Sequence, residues 1–127
     1  MARILVVDDD PDVGRTVQTM LSGTGHEVTY QRQSRHAITA LSSEVFDLVI
    51  SDVFMPDLDR VQLVLEARKI SPHTKILLMT GGARYFPSGS DELSNIIVRA
   101  ELFGASLTIG KPFRKQQLLD AIAGLGI

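Results

Sequence analysis

The chain has 127 residues, enough for one domain that buries its own core without staples. Its net charge of −2, with 44% hydrophobic and 22% charged residues, is ordinary for a soluble globular protein and excludes the broad basic footprint of a nucleic-acid or anionic-membrane binder. Cysteine is absent, which excludes disulfides, thiolate metal sites and thiol catalysis, and no apolar run approaches the roughly 18 residues of a membrane span.

Met1-Ala2-Arg3 leads straight into a strand-like apolar run at 4–7, so no signal peptide is expected and a cytoplasmic setting is. Asp8, Asp9 and Asp10 follow it. Val13, Val17, Met20 and Leu21 then form a helical stripe, with Pro11 suited to its first turn and Gly23 and Gly25 to its exit. A weaker strand run lies at 28–30, and Ala37, Ala40 and Leu41 mark a second helix. Residues 48–50 are again apolar throughout. Val61, Val64, Leu65 and Arg68, with Leu63 and Ala67, form a third, broader stripe. A fourth strand run spans 76–79. Ser88 or Ser90 suits the cap of a fourth helix, with Asp91 and Glu92 in its first turn and Leu93, Ile96, Ile97 and Ala100 on its apolar face. A fifth strand at 107–109 and a fifth helix carrying Leu118, Ile122 and Leu125 complete the chain, with no internal repeat and no visible linker to a second domain.

Runs apolar at every position suit strands covered on both faces. Five alternations of strand and helix therefore predict an α/β domain with a parallel sheet and right-handed crossovers. In open sheets of this kind, ligands bind beyond the carboxyl ends of the strands. Those ends carry Asp8-Asp9-Asp10, Ser51-Asp52, Met79-Thr80-Gly81 and Gly110-Lys111-Pro112. Clustered carboxylates repel or stay protonated unless a cation joins them, and Mg²⁺ prefers such hard oxygen ligands. Asp8, Asp9 and Asp52 are the candidate cluster, with Asp10 serving the start of the first helix. The plainer reading of Asp9, Asp10 and Asp12 is acids favoured at a helix N-terminus, and it is Asp52 at another strand end that favours the metal. Asp52 is also a candidate nucleophile toward a phosphoryl group. Lys111 would balance charge and the Thr80 hydroxyl would donate to a phosphoryl oxygen. Singly, these two read as a solvated loop lysine and a strand-end hydroxyl. Together at separate strand ends they point to one site.

These residues resemble the receiver domain of two-component response regulators across essentially the whole chain, 1–127. "ILVVDDDPDV" resembles the family's first strand and acidic pair, Asp8 and Asp9. "DLVISDVFMPDLD" resembles its phosphoacceptor segment, with Asp52 as acceptor and Met55-Pro56 following. "KILLMTGG" supplies Thr80, and "GASLTIGKPF" supplies Lys111 before a proline whose peptide bond is cis in receivers. The resemblance implies a flavodoxin-like (βα)5 fold, a doubly wound five-stranded parallel sheet of order 2-1-3-4-5. It implies that a histidine kinase or phosphotransfer protein phosphorylates Asp52 with Mg²⁺ bound. It assigns the metal to Asp9, Asp52 and the Phe54 carbonyl, with Asp8 acting mainly through a metal-bound water. The added charge of about −2 then biases the loop of Thr80, and the face of the fourth helix, fifth strand and fifth helix changes and is read by a downstream protein target.

Several positions depart from the family pattern. Thr108 stands where receivers carry an aromatic residue that turns inward on activation, so the switch must use something else; Tyr85 and Phe86 are candidates, with apolar packing as the plainer reading. The stretch 81–90 is longer than usual and reads as a partner-recognition or gating loop, or as a tolerated insertion. Arg60 replaces a usual glycine. Phe54 and Gly82 occupy the two positions that set phosphoryl lifetime, and neither side chain can orient a water, so slow self-dephosphorylation is expected.

The leading expectation is a stand-alone, non-enzymatic receiver acting through protein contacts, with a fragment of a longer regulator and a homodimer as open alternatives and no nucleic-acid or membrane partner. A phosphorylation-independent receiver-like binding module is the second reading. A Mg²⁺-dependent aspartyl-phosphate phosphatase is disfavoured: such enzymes carry a second acid two residues after the nucleophile, where Asp52 is followed by Val53 and Phe54. Asp8 and Asp10 have that spacing, but no room for a cap domain is apparent. His26, His36 and His73 read as surface residues without a phosphotransfer role.

Overall fold

The structure is a computed structural model and describes residues 2–52, 62–80 and 104–127. In chain order it contains β1 (Arg3–Val7), α1 (Pro11–Leu21), β2 (Glu27–Gln31), α2 (Ser34–Ser43), β3 (Leu48–Asp52), α3 (Gln62–Ile70), β4 (Lys75–Thr80), β5 (Leu107–Gly110) and a C-terminal helix (Lys115–Gly124). The strands form one parallel sheet in the order β2-β1-β3-β4-β5, as expected from the sequence.

The alternation of side chains along each strand sorts the core into two layers. Leu5, Val7, Val49, Ile76 and Leu78 face α2 and α3, where Ala37, Leu41, Leu63, Val64 and Ala67 meet them. Ile4, Val6, Leu48, Ile50, Leu77 and Met79 face the other way, against Val17 and Leu21 of α1 and Leu118 and Ile122 of the C-terminal helix. Covering on both faces explains why the central strands are buried along nearly their whole length. The outer strands β2 and β5 are only partly buried, because each has a neighbour on one side only.

Local chemistry sets the helix ends. Asp10 caps α1, its carboxylate accepting the Asp12 amide at 2.9 Å, with Pro11 in the first turn where a missing N–H costs nothing. Gly23 and Gly25 take positive φ angles of 76° and 87° in the exit turn that reverses the chain into β2. The third helix turns Leu63, Val64 and Ala67 inward, whereas Leu65 of the expected stripe is only half-buried, and Arg68 does more than extend that stripe. Its Nε and one terminal nitrogen donate to the Gly104 carbonyl at 3.0 and 2.7 Å, and the other donates to the carbonyls of Pro72 and Thr74 at 2.9 and 2.6 Å. One guanidinium thus ties α3 to the approaches of β4 and β5.

The expected fourth helix, with Ser88, Ser90, Asp91 and Glu92 at its start, and the loop at 81–90 with Gly82, Tyr85 and Phe86 lie outside the described residues. So do Phe54, Met55, Pro56, Arg60 and Val61. His36 and His73 are exposed; His26 is half-buried instead, because its Nδ1 accepts the Ala2 amide at 3.1 Å. No helix among the described residues is long and apolar enough to cross a membrane.

Candidate functional site

The register of the central strands builds the site. Ile4 lies beside Leu48 and Val6 beside Ile50, so the same pairing carried past the end of β1 sets Asp8 beside Asp52. Asp9 follows in the turn into α1. Oxygens from Asp8, Asp9 and Asp52 lie within 4.8 Å of one another. From the end of β5, Lys111 reaches across and donates to Asp52 Oδ2 at 3.0 Å and to Asp8 Oδ2 at 3.3 Å. The Lys111-Pro112 peptide bond is cis, as expected. The Lys111 amide donates to the Thr80 carbonyl at 2.6 Å, which joins the ends of β4 and β5. Thr80 is 7% exposed, and its hydroxyl lies 3.5 Å from the Ile109 carbonyl. Four residues expected to cooperate (Asp8, Asp9, Asp52 and Lys111) therefore meet, with Thr80 at the adjoining strand end.

Asp8 is fully buried. Burial pushes its carboxyl from an ordinary 3.8 up to about 6; the Asp10 amide, donating to its Oδ1 at 2.9 Å, opposes the rise, the Asp52 charge adds to it, and Lys111 opposes it. For Lys111, burial pulls the ammonium down, but the hydrogen bond to Asp52 and the charges of both aspartates outweigh it, and its pKa is raised. The site thus has an internal cation and a carboxyl whose charge is costly. Three carboxylates and no imidazole form a hard-oxygen donor set that suits Mg²⁺. An added cation would also relieve the desolvation penalty at Asp8.

The family model for the response regulator receiver domain matches residues 4–123. The chain belongs to the response regulator receiver domain family. Among curated relatives, it is 36% identical to the response regulator receiver protein CpdR of Brucella abortus over 83 residues, 65% of this chain and 69% of that one. It is 35% identical over 122 residues to the response regulator protein FleR of Pseudomonas aeruginosa, covering 96% of this chain but 24% of FleR. The response regulator MprA of Mycolicibacterium vanbaalenii is 31% identical over 97% of this chain, which spans 49% of MprA. Among solved structures, the chemotaxis response regulator CheY4 of Vibrio cholerae superposes with a TM-score of 0.82 at 28% identity, over 98% of both chains. A CheY-like receiver domain protein from Methanospirillum hungatei JF-1 gives 0.82 at 29% identity, over 98% of this chain and 92% of that one. The receiver family is a signalling module of two-component systems.

Two further features of this receiver lie beside the acidic cluster and the family pattern around it. Tyr30 of β2 donates its hydroxyl to the Asp8 carbonyl at 2.6 Å, beside the acidic turn. The signal for it is Gly14, a glycine inside a helical pattern, which usually has a packing reason. Thr108, at the position of the usual aromatic, has a buried hydroxyl with no hydrogen-bond partner among the described residues.

Proposed function

We propose that this chain is a phosphoacceptor receiver of a two-component phosphorelay. It takes a phosphoryl group onto Asp52 from a histidine kinase or phosphotransfer protein, with Mg²⁺ bound, and signals by protein–protein contact. The observation that carries this reading is the convergence of Asp8, Asp9 and Asp52 oxygens within 4.8 Å, with Lys111 bridging Asp8 and Asp52.

In the proposed step, an Asp52 carboxylate oxygen bonds to phosphorus. The bond from phosphorus to the donor's histidine nitrogen breaks, its electron pair stays on that nitrogen, and an acyl phosphate remains. Such transfer asks little of the protein beyond positioning and charge neutralisation. Lys111, 3.0 Å from Asp52 Oδ2, orients the carboxylate and offers positive charge to the phosphoryl oxygens. Thr80 offers a hydroxyl donor from the end of β4. Asp8, Asp9 and Asp52 would hold Mg²⁺, with the Phe54 carbonyl as the further ligand that the family pattern implies. Bound there, Mg²⁺ supplies positive charge against the carboxylates and the incoming phosphoryl oxygens. The chain's chemistry ends with its own phosphorylation and slow dephosphorylation, and a cytoplasmic setting goes with this role. Residues 1–127 act as one receiver domain, read by a downstream protein target or by a second copy as a homodimer.

The test is intact-mass spectrometry after incubation with acetyl phosphate, with and without Mg²⁺, alongside Asp52→Asn. A single phosphoryl adduct that needs both Mg²⁺ and Asp52 is expected. Absence of any adduct would favour the second reading, a phosphorylation-independent binding module. Thr108 is the observation that favours that alternative, because a threonine cannot fill the space of an aromatic switch residue.

A further inference from the structure

We propose that Tyr30 is a positioning residue for the acidic turn, its hydroxyl fixing the backbone on both sides of Asp9, and that Gly14 is the gap in α1 that admits it. This rests on the receiver reading above, because it concerns the carboxylates assigned to Mg²⁺.

The hydroxyl lies 2.6 Å from the Asp8 carbonyl and 3.5 Å from the Asp10 carbonyl. These two groups flank Asp9, which lies in the turn between β1 and α1. The Asp8 side chain is held separately, by the Asp10 amide. A turn that must present Asp8 and Asp9 to one ion, beside Asp52 of β3, repels itself when no ion is bound. A neutral donor that ties down its carbonyls restrains that turn without competing for the carboxylates. A phenol suits this role. Burial, then the neighbouring Asp8 charge, raise its pKa, so it keeps its proton at neutral pH.

Gly14 shows that the placement is specific. A β-carbon there would lie 2.3 Å from Tyr30 Cζ and 2.4 Å from Cε1, so no other L-residue fits without moving the ring. Glycine inside a helix costs roughly 0.5–1 kcal/mol relative to alanine. α1 tolerates that cost where the tyrosine ring crosses it. Groups that orient metal ligands from behind typically change metal affinity by roughly 10–100-fold when removed.

The experiment is Mg²⁺ titration by calorimetry on the full chain, for wild type, Tyr30→Phe, Gly14→Ala and the double variant, with urea unfolding in EDTA as the stability control. Tyr30→Phe keeps the ring and removes only the hydroxyl. Its Mg²⁺ affinity is expected to fall about tenfold. The Mg²⁺ concentration that half-saturates acetyl-phosphate uptake should rise by the same factor, with the rate at saturating Mg²⁺ unchanged. Gly14→Ala should weaken Mg²⁺ in the same direction with the hydroxyl still present. The double variant should match Tyr30→Phe within about twofold, because both substitutions remove one interaction. Mg²⁺ affinity of Tyr30→Phe within about twofold of wild type, with only the urea midpoint lowered, would overturn the proposal and leave Tyr30 as packing. If the wild type binds Mg²⁺ but accepts no phosphoryl group, the receiver reading fails while the affinity ratio still decides the role of Tyr30. If the wild type binds no Mg²⁺, both fall.

Discussion

Asp8→Asn should stabilise the metal-free protein at neutral pH, although it removes an ion pair with Lys111. The unfolded chain ionises this carboxyl near 3.8, whereas the folded chain does so near 6. Below the lower value both states hold the proton and no penalty exists. Between the two, the folded state keeps a proton that the unfolded state has released, so each rise of one pH unit weakens the fold by about 1.36 kcal/mol. Above about pH 6 the penalty is complete, at about 3 kcal/mol. Asparagine removes that penalty. It cannot accept from both the Asp10 amide and Lys111 as the carboxylate does, so it gives up about 1 kcal/mol of hydrogen bonding. The net gain expected at pH 7.5 is about 1–2 kcal/mol, shrinking to nothing or reversing near pH 4. Urea unfolding followed by far-ultraviolet circular dichroism in EDTA reads both values. Mg²⁺ should then stabilise the wild type and have little effect on the variant. A loss of stability at pH 7.5, or a gain of the same size at both pH values, would refute the argument.

Arg68→Met should cost roughly 2–4 kcal/mol in urea unfolding, because it strands the carbonyls of Gly104, Pro72 and Thr74. Arg68→Lys should recover less than half of that, since an ammonium lacks the fork that reaches both sides. Thr108→Val keeps the shape, removes a buried hydroxyl that has no partner among the described residues, and should raise stability by about 1 kcal/mol in the same assay. Lys111→Met takes the internal cation away from Asp8 and Asp52. Unfolding in EDTA at pH 7.5 should show a loss of roughly 3 kcal/mol, while calorimetry should show tighter Mg²⁺ binding, because no ammonium then repels the ion.

The central strands are legible because residues covered on both faces must be apolar at every position, and the runs at 4–7, 48–50 and 76–79 announce that without reference to anything distant. The start of α1 is legible for a similar reason: an aspartate before a proline is a local instruction, and Asp10 caps the helix as the order of residues suggests. The site is legible where side-chain chemistry is unusual for its place. Asp8, Asp52 and Lys111 stand out at the ends of hydrophobic runs, and the sheet brings them together. Tyr30 and Arg68 are not legible in this way. Both act on backbone carbonyls, which every residue has, so the sequence does not mark the targets. Arg68 reads as the edge of a helical stripe, yet its guanidinium closes on Gly104, 36 residues away. Tyr30 reads as the end of a weak strand. Gly14, the residue that makes room for it, is visible only as a flaw in a good helix.

The same register that makes the core also makes the repulsion at the site. Ile4, Val6 and Asp8 alternate onto one face of the sheet, as do Leu48, Ile50 and Asp52 on the neighbouring strand. Both faces of β1 are apolar and covered, so it is the pairing with β3 and the fit of Ile4 and Val6 among Val17, Leu21, Leu118 and Ile122 that fix which face Asp8 takes. The fold therefore holds two aspartates side by side, at a cost to Asp8 that comes first from burial and then from the Asp52 charge. What remains adjustable is the cation between them, and Lys111 already fills part of that role. In the proposed role a divalent ion would share the carboxylates with this lysine, and a phosphoryl group on Asp52 would give the lysine new oxygens to face. The strands would stay fixed while charge at their ends is redistributed, so a change confined to the site could move the Lys111 side chain without disturbing the core.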